Sequence, residues 1–146
     1  MPKAIILILD PEVHTQWVLK TLLEFENYRV FTVDSIEDAI INFSKFEISG
    51  LITEFWVNCS STLEVIREFK KLFPEAYVMM LANGEVQESE YCEIIEAGVD
   101  DFFLKPFSIH KVLLHLRKGL KHYRILVQNK GSKRKSGRNL IRNELR

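Results

Sequence analysis

The sequence of 146 residues has few cysteines and no long apolar run, and each shortage excludes a class of protein. Its two cysteines, Cys59 and Cys92, show neither a C-x-x-C motif nor a Cys/His spacing, so neither a disulfide framework nor a structural zinc site is expected. No apolar run approaches the roughly 20 residues of a membrane span, and the apolar stretch near the start is too short for a signal peptide. We therefore expect a soluble, cytoplasmic protein without membrane contact.

The formal net charge of zero conceals an uneven distribution. Residues 129–146, here called the basic segment, carry seven Lys or Arg and one Glu, a net charge of +6. Residues 1–128 carry thirteen Lys or Arg and nineteen Asp or Glu, a net charge of −6. The basic segment is either a solvated linker or a contact for nucleic acid or acidic surfaces, and nucleic acid is expected as a partner only through it.

Five short apolar runs, each bounded by polar or turn-forming residues, indicate buried β-strands at 4–9, 28–33, 50–53, 77–81 and 102–104. The segments between them have helical periodicity. Strict alternation of strand and helix with short connections predicts a parallel sheet that is covered on both faces. The predicted fold class is therefore α/β and flavodoxin-like: a doubly wound (βα)5 domain whose five parallel strands lie in the order 2-1-3-4-5.

The helices should begin at capping residues and bury one apolar face each. Asp10 is predicted to cap a helix with Pro11 at its first position, and Ser35-x-x-Asp38 and Ser61-x-x-Glu64 have the pattern of capping boxes. For residues 11–26 the periodicity places on the buried face Trp17, Val18, Leu22 and Phe25.

Charged residues follow three of the predicted strands. In doubly wound sheets the site lies beyond the carboxyl ends of the strands, where the strand order reverses. Asp10 ends the first strand, Glu54 ends the third and Lys105 ends the fifth, so these side chains form a candidate charged site. A nucleotide-binding enzyme is disfavoured, because no GxGxxG motif or P-loop follows the first strand and Asp10-Pro11-Glu12 would repel phosphate.

The segment Phe103-Leu104-Lys105-Pro106-Phe107 is the most specific motif in the chain. With the preceding Glu96-Ala97-Gly98-Val99-Asp100-Asp101 it resembles the A-G-A-D-D-Y-L-x-K-P-F stretch of the receiver domains of two-component response regulators. The resemblance covers residues 3 to about 122. It implies a non-enzymatic receiver-like domain over residues 1–122, followed by an extension of the last helix and a basic tail or linker over residues 123–146.

In that family an aspartate ending the third strand accepts a phosphoryl group, with Mg²⁺ held by acidic residues after the first strand. A hydroxyl after the fourth strand and a lysine after the fifth then hold the phosphate. The resemblance assigns the phosphoryl-acceptor position to Glu54 and the two acidic positions to Asp10 and Pro11. It assigns the hydroxyl position to Ala82, the lysine position to Lys105 and the aromatic switch position to Phe102. Only Asp10 and Lys105 match the family pattern.

These departures imply an altered site. Pro11 offers no side-chain oxygen, so Asp10 and Glu54, with Glu12 as a further acidic residue, would hold Mg²⁺ weakly at best, and no cofactor is expected. Two interpretations of Glu54 stay open: a constitutive mimic of the phosphorylated aspartate, or a leftover ion pair with Lys105 that is worth little if exposed. Both predict a pseudo-receiver, which is a regulatory interaction module without regulated phosphorylation.

The loop that follows the third strand, residues 55–61, is unusually apolar. Its apolar side chains are expected to cover the pocket, with Trp56 packed; an exposed Trp56 would instead be a good partner contact. Cys59 is not expected to act as a nucleophile, because no histidine is predicted beside it.

The resemblance implies a histidine kinase or an output domain as the protein partner. The alternative function is a phosphorylation-competent response regulator of a phosphorelay, controlling transcription through an output domain beyond Arg146. A homodimer through the last helix is also predicted, because spacings of four and three alternate along Ile109, Leu113, Leu116, Leu120, Tyr123 and Val127. Asp100 and Asp101 match acids of the family's dimer ion pairs, whereas Arg, Glu and Arg of that pattern are replaced by Tyr91, Lys111 and His115.

Overall fold

The five apolar runs form one parallel sheet in the computed structural model, which describes residues 4–123. The strands are β1 (Ile5–Leu9), β2 (Arg29–Val33), β3 (Gly50–Glu54), β6 (Tyr77–Asn83) and β7 (Asp101–Lys105). Two short strands, β4 (Trp56–Val57) and β5 (Ser60–Ser61), form a separate antiparallel hairpin. The sheet order is β2-β1-β3-β6-β7, so the predicted order 2-1-3-4-5 is confirmed, with β6 and β7 as its fourth and fifth strands.

Within the described residues, four helices connect consecutive strands of the sheet, and a fifth follows the last strand. They are α1 (Val13–Phe25), α2 (Ile36–Lys45), α3 (Leu63–Leu72), α4 (Glu88–Ala97) and α5, which covers residues 109–123 up to the end of the described part. None of these helices is long and apolar enough to cross a membrane, as far as the described residues go.

The predicted helix caps are right for α2 only. The Ser35 hydroxyl accepts the Asp38 N–H at 3.2 Å, as the capping pattern requires. The α1 helix begins at Val13 and not at Pro11, because the Asp10 carboxylate accepts the Glu12 N–H at 2.8 Å and holds the intervening residues in a tight turn. The α3 helix begins at Leu63, and Thr62 at its N-cap position makes no side-chain capping hydrogen bond, while the Ser61 hydroxyl accepts the Leu63 N–H at 3.2 Å.

Each face of the sheet has its own apolar core, which explains why the strands read as nearly continuous apolar runs. One face is covered by α1 and α5, whose buried side chains include Leu19, Leu23, Val112, Leu116 and Leu120. The other face is covered by α2, α3 and α4, whose buried side chains include Phe43, Ile66, Phe69 and Ile94. The charged site lies at one edge, where β1, β3 and β7 end.

The buried face of α1 differs from the prediction. Trp17 and Phe25 were expected in the core, yet they are 65% and 87% exposed. The sheet is instead contacted by Thr15, Leu19 and Leu23, whose spacing of four residues keeps them in one line along the helix. The helix is apolar on more than one side, and the two largest side chains lie on the solvent side.

The described residues of the predicted dimer seam pack on the domain itself. Leu116 and Leu120 of α5 are buried against the sheet. Ile109, Leu113 and Tyr123 are partly buried and pack against the two apolar cores. Tyr123 therefore still packs on the domain. This part of the seam needs no partner helix. The last seam residue, Val127, and the basic segment lie outside the described residues.

Gly119 of α5 is required by a close contact with β6. A Cβ atom at this position would lie 2.2 Å from Cδ1 of Tyr77, far inside van der Waals distance. The glycine lowers the helix propensity of α5 by about 1 kcal/mol relative to alanine. In return it lets the helix approach the tyrosine ring at the amino end of β6.

Candidate functional site

The carboxyl ends of β1, β3 and β7 bring three charged side chains together, as predicted. Leu9 of β1 lies opposite Thr53 of β3, so Asp10 and Glu54, one residue further along, leave the sheet side by side. The Lys105 Nζ atom lies 2.8 Å from Asp10 Oδ2 and 2.8 Å from Glu54 Oε2. Its ammonium therefore bridges the two carboxylates.

This ion-pair cluster is buried. The side chains of Lys105, Asp10 and Glu54 are 7%, 2% and 5% exposed. Glu12, which is half-exposed, adds a third carboxylate at 3.1 Å from Lys105 Nζ. Three carboxylates thus share one ammonium, and the four side chains carry a net charge of −2 when all are ionised. Breaking such a buried cluster is costly, whereas the same ion pair would be worth little if it were exposed.

Burial and shared charge shift the protonation equilibria of the cluster. Burial raises the pKa of Glu54, and hydrogen bonding and attraction to Lys105 offset this rise only in part. Burial acts to lower the pKa of Lys105, but hydrogen bonds to Asp10 and Glu54 outweigh it, so the pKa is raised and the ammonium stays charged. The hydrogen bond to Lys105 lowers the pKa of the exposed Glu12. Between Glu54 and Glu12, Glu54 is therefore the carboxylate whose ionisation the pocket disfavours.

The second oxygen of Glu54 is held by the backbone of β6. The Asn83 N–H donates to Glu54 Oε1 at 3.2 Å, while Oε2 has no hydrogen bond other than its ion contact with Lys105 within the described residues. The hydroxyl of Thr62 donates to the Glu54 carbonyl at 2.8 Å and fixes the backbone there. The contact with Asn83 was missed from the sequence, since a backbone amide leaves no residue-type signal.

The amide side chain of Gln16 was also not predicted as part of the site. It donates hydrogen bonds to the carbonyl oxygens of Asp10 and, at 3.3 Å, Val33. It thereby ties the first turn of α1 to the ends of β1 and β2.

The pocket does not fit a divalent cation. Its three carboxylates already converge on the Lys105 ammonium, which takes up contacts that they could otherwise offer to a cation. Pro11 is exposed and has no side-chain oxygen to contribute. Within residues 4–123, no group of three or more His, Cys, Asp or Glu side chains is arranged to hold a metal ion.

The two switch-equivalent residues lie on neighbouring strands. Ala82 of β6 is buried and brings no hydroxyl to the pocket. Phe102 of β7 is partly buried and packs against the core cluster to which Ala82 belongs. Its ring meets the ring of Tyr91 on α4 edge-on, with 5.8 Å between the centroids. Phe102 thus connects the core under the pocket with an exposed residue of α4.

The apolar loop after β3 does not cover the pocket as expected. It forms the hairpin of β4 and β5, with Asn58 and Cys59 at positive φ of 50° and 65°, as in a type I′ turn. Alternation along β4 buries Phe55 and Val57 in the core beside α3 and turns Trp56 outward, where it is half-exposed. The expectation that Trp56 is packed was therefore wrong.

A second polar cluster lies at the opposite end of the sheet and was not predicted. The Tyr77 hydroxyl donates to Asp101 Oδ2 at 2.5 Å, and His115 Nδ1 lies 3.0 Å from Asp101 Oδ1. Asp100 accepts the Val78 N–H at 2.8 Å. Burial, with Asp101 beside the hydroxyl, raises the pKa of Tyr77. Both aspartates of the predicted dimer pattern are therefore engaged within the domain.

Comparison with known proteins identifies the architecture around this pocket. The family described as "Response regulator receiver domain" matches residues 6–117, most of the chain. The chain belongs to this family. As a receiver domain it is a regulatory module of signal transduction, in a family whose members interact with histidine kinases and output domains.

Relatives of this receiver domain include regulators of transcription. The chain is 28% identical over 112 residues to the transcriptional regulatory protein ResD of Bacillus subtilis, covering 77% of this chain and 46% of that protein. It is 30% identical over 129 residues to the probable transcriptional regulator ycf27 of Porphyra purpurea, covering 86% and 51%. The chain spans about half the length of these curated relatives.

The fold likeness extends to solved structures. A CheY-like response regulator receiver domain protein from Methanospirillum hungatei superimposes with a TM-score of 0.78 at 20% identity, covering 84% of this chain and 98% of that one. The likeness supports the fold alone. The roles of Asp10, Glu12, Glu54 and Lys105 in this receiver domain stay predictions.

Proposed function

We propose that this receiver domain regulates a protein partner without being phosphorylated, with Glu54 supplying permanently the negative charge that a phosphoryl group supplies in its relatives. The observation that carries the proposal is the engagement of both Glu54 carboxylate oxygens, one by the Lys105 ammonium and one by the Asn83 N–H. A phosphoryl group at this position would present its anionic oxygens to the same lysine and to donors at the end of the neighbouring strand.

The pocket is poorly suited to phosphoryl transfer. A carboxylate that attacks a phosphoryl donor needs cations to neutralise the charge that both reactants bring. Here the Lys105 ammonium is already shared by three carboxylates, and the pocket remains negative. Glu54 is 4% exposed, and its raised pKa reflects the cost of keeping its charge buried.

The contact surface that we propose is the α4–β7–α5 face, defined by the exposed apolar side chains Tyr91, Ile95, Leu104 and Leu114. Tyr91 and Ile95 are four residues apart on α4 and so share one of its sides, and exposed apolar residues on a shared surface are typical of protein interfaces. Phe102 links this face to the pocket, because it packs against the core around Ala82 and touches Tyr91. Because Ala82 has no hydroxyl that could respond to the charge at Glu54, we expect the face to stay in one state.

The proposed partners are a histidine kinase or an output domain, bound to this face. Control of transcription is proposed on the names of the relatives, ResD and ycf27, which are regulators of transcription. Phosphorylation by a kinase is not required for this role.

Incubation with acetyl phosphate and Mg²⁺, followed by intact-mass measurement, tests the proposal. We expect the chain to gain no phosphoryl mass. Glu54→Asp alone should also gain none, since Pro11 and Ala82 still lack a ligand and a hydroxyl. The triple variant Pro11→Asp, Glu54→Asp, Ala82→Thr is the control in which phosphorylation should return. A stable phosphoryl adduct on Glu54 of the unaltered chain would overturn the proposal.

A second experiment separates a phosphomimic from a leftover ion pair. Amide chemical shifts should be compared between Glu54→Gln and the control Glu12→Gln, which removes the half-exposed carboxylate of the same cluster. A phosphomimic predicts that Glu54→Gln alone moves the amides of Phe102, Tyr91 and Leu104. Changes confined to the pocket in both variants would leave Glu54 as an ion-pair residue only.

A further inference from the structure

The α4 helix is acidic, and its glutamates have no cationic partner among the described residues. From Glu85 to Leu104 the chain has seven acidic residues and no Lys or Arg. Among the ion pairs of residues 4–123, none includes a glutamate of α4. Because the glutamates of this helix are not neutralised by the described part of the domain, the surface attracts a basic partner.

Apolar side chains form a continuous strip between these acids. Tyr91 and Ile95 are four residues apart and thus lie on one side of α4, where Ile95 is 56% exposed. Phe102, which the Tyr91 ring contacts, and Leu104 point to the same side of β7, since they are two residues apart in a strand. The strip and its acids together are called the α4–β7 strip, a part of the contact face defined above.

The described part of α5 ends close to the end of α4. An open cleft of about 490 Å³ at the base of the sheet is lined by His122, the penultimate described residue, and by Asp100, which follows α4 by three residues. Tyr123 packs against the core on the side of the sheet that α4 covers. The described part of the chain therefore ends next to the carboxyl end of the acidic helix.

We propose that the basic segment, residues 129–146, docks on the α4–β7 strip of its own chain. Its first cation, Lys130, is seven residues beyond Tyr123 and within a reach of about 24 Å. The ten residues of α4 are about 15 Å long, so the cations at 130, 133, 134, 135 and 138 can follow the helix. A short tether raises the effective concentration of the segment to roughly millimolar, which favours docking on its own chain over a second copy.

Docking of the basic segment would cover part of the proposed contact face and so regulate the binding of a partner there. The strip is part of the face that we propose for partner binding, so this inference rests on the proposed function for its consequence. A partner would have to displace the basic segment before it could bind. The glutamates would hold the segment by several exposed ion pairs, each of them weak and sensitive to salt, so that displacement stays easy.

The test compares amide chemical shifts of the full chain with those of a variant whose five cations at 130, 133, 134, 135 and 138 are changed to Gln. At about 0.1 M NaCl we expect the amides of α4 and Leu104 to differ between the two proteins. Raising NaCl to about 1 M shortens the Debye length from about 10 Å to about 3 Å and should abolish the difference. Dilution should not change it, because the contact is within one chain.

A matched pair of surface variants supplies the control. Glu93→Lys with Ile95→Ser alters the strip and should abolish the salt-dependent difference. Glu37→Lys with Ile40→Ser makes the same kinds of exposed change on α2 and should leave it intact.

Three outcomes would overturn the docking. Identical α4 shifts in the full chain and the Gln variant at low salt exclude the contact. Loss of the difference on dilution assigns the contact to a second copy. Binding of a DNA duplex by the basic segment, with no effect of the Gln changes on α4, assigns the segment to nucleic acid. None of these results bears on phosphorylation of Glu54, so failure here and failure of the proposed function are distinguishable.

Discussion

Replacing Lys105 by Met should destabilise the fold strongly and in a pH-dependent manner. The change removes the one ammonium that Asp10, Glu54 and Glu12 share, and two of these carboxylates are buried. Removing one partner of a buried ion pair costs about 3–5 kcal/mol. The chain can limit this cost by protonating a carboxyl, which for an ordinary pKa near 4.3 costs about 3.7 kcal/mol at pH 7.

The expected loss in unfolding free energy is therefore about 3–4 kcal/mol at pH 7, falling to about 1 kcal/mol at pH 5, where protonation costs far less. Urea unfolding at both pH values measures it. The control is Lys71→Met, which removes an exposed pair with Glu68 and should change stability by less than about 1 kcal/mol. A Lys105→Met penalty equal to that of the control, or one that is the same at pH 5 and pH 7, would refute the buried cluster.

Three further changes probe other parts of the structure. Because the folded-state pKa of Glu54 is raised, its contribution to stability is greatest below the unfolded pKa and is lost as pH rises through the folded pKa. The unfolding free energy of the wild type relative to that of Glu54→Gln should therefore fall between pH 4 and pH 7. A rise over this range would contradict the burial of Glu54. Gly119→Ala should lower the free energy of unfolding, measured by heat or urea, by about 1–3 kcal/mol, because the new Cβ would clash with the Tyr77 ring. A stabilised variant would show that α5 does not approach this ring so closely. Asp101→Ala should lower the free energy of unfolding by a similar amount, about 1–3 kcal/mol, because the buried Tyr77 hydroxyl loses its acceptor and His115 loses its carboxylate partner. An unchanged urea midpoint would mean that this polar cluster does not stabilise the fold.

The sheet could be predicted from the sequence because its strands are buried on both faces. Runs such as Ile5–Leu9 and Gly50–Glu54 are apolar almost throughout, and each is bounded by a polar residue that marks its end. The same regularity located the pocket, since Asp10, Glu54 and Lys105 follow strands whose carboxyl ends must meet at one edge.

The buried side of α1 could not be predicted with the same certainty. Its sequence is apolar in two directions, and periodicity alone does not say which direction meets the sheet. The largest side chains, Trp17 and Phe25, were assigned to the core, but the shape of the sheet admits the smaller set of Thr15, Leu19 and Leu23. Packing between distant parts of the chain, and not the helical periodicity, decides which side of α1 is buried.

The details of the pocket also depend on tertiary packing. Sequence spacing placed Glu54 near Lys105, but not its second contact with the Asn83 N–H, nor the burial that makes the cluster costly to break. For α5, the four-three spacing does not say whether the apolar side chains contact the domain or a second helix. Tyr123 packs on the domain itself, and the dimer stays a prediction.

The central claim, that Glu54 holds the domain in one state without phosphorylation, is tested most directly with a phosphoryl analogue. Beryllofluoride and Mg²⁺ should be titrated into the chain while the amide shifts of Tyr91, Phe102 and Leu104 are recorded, with the triple variant Pro11→Asp, Glu54→Asp, Ala82→Thr as the responsive control. Our account predicts that these amides stay unchanged in the wild-type chain and move in the triple variant. A saturable shift of the same amides in the wild-type chain would contradict it.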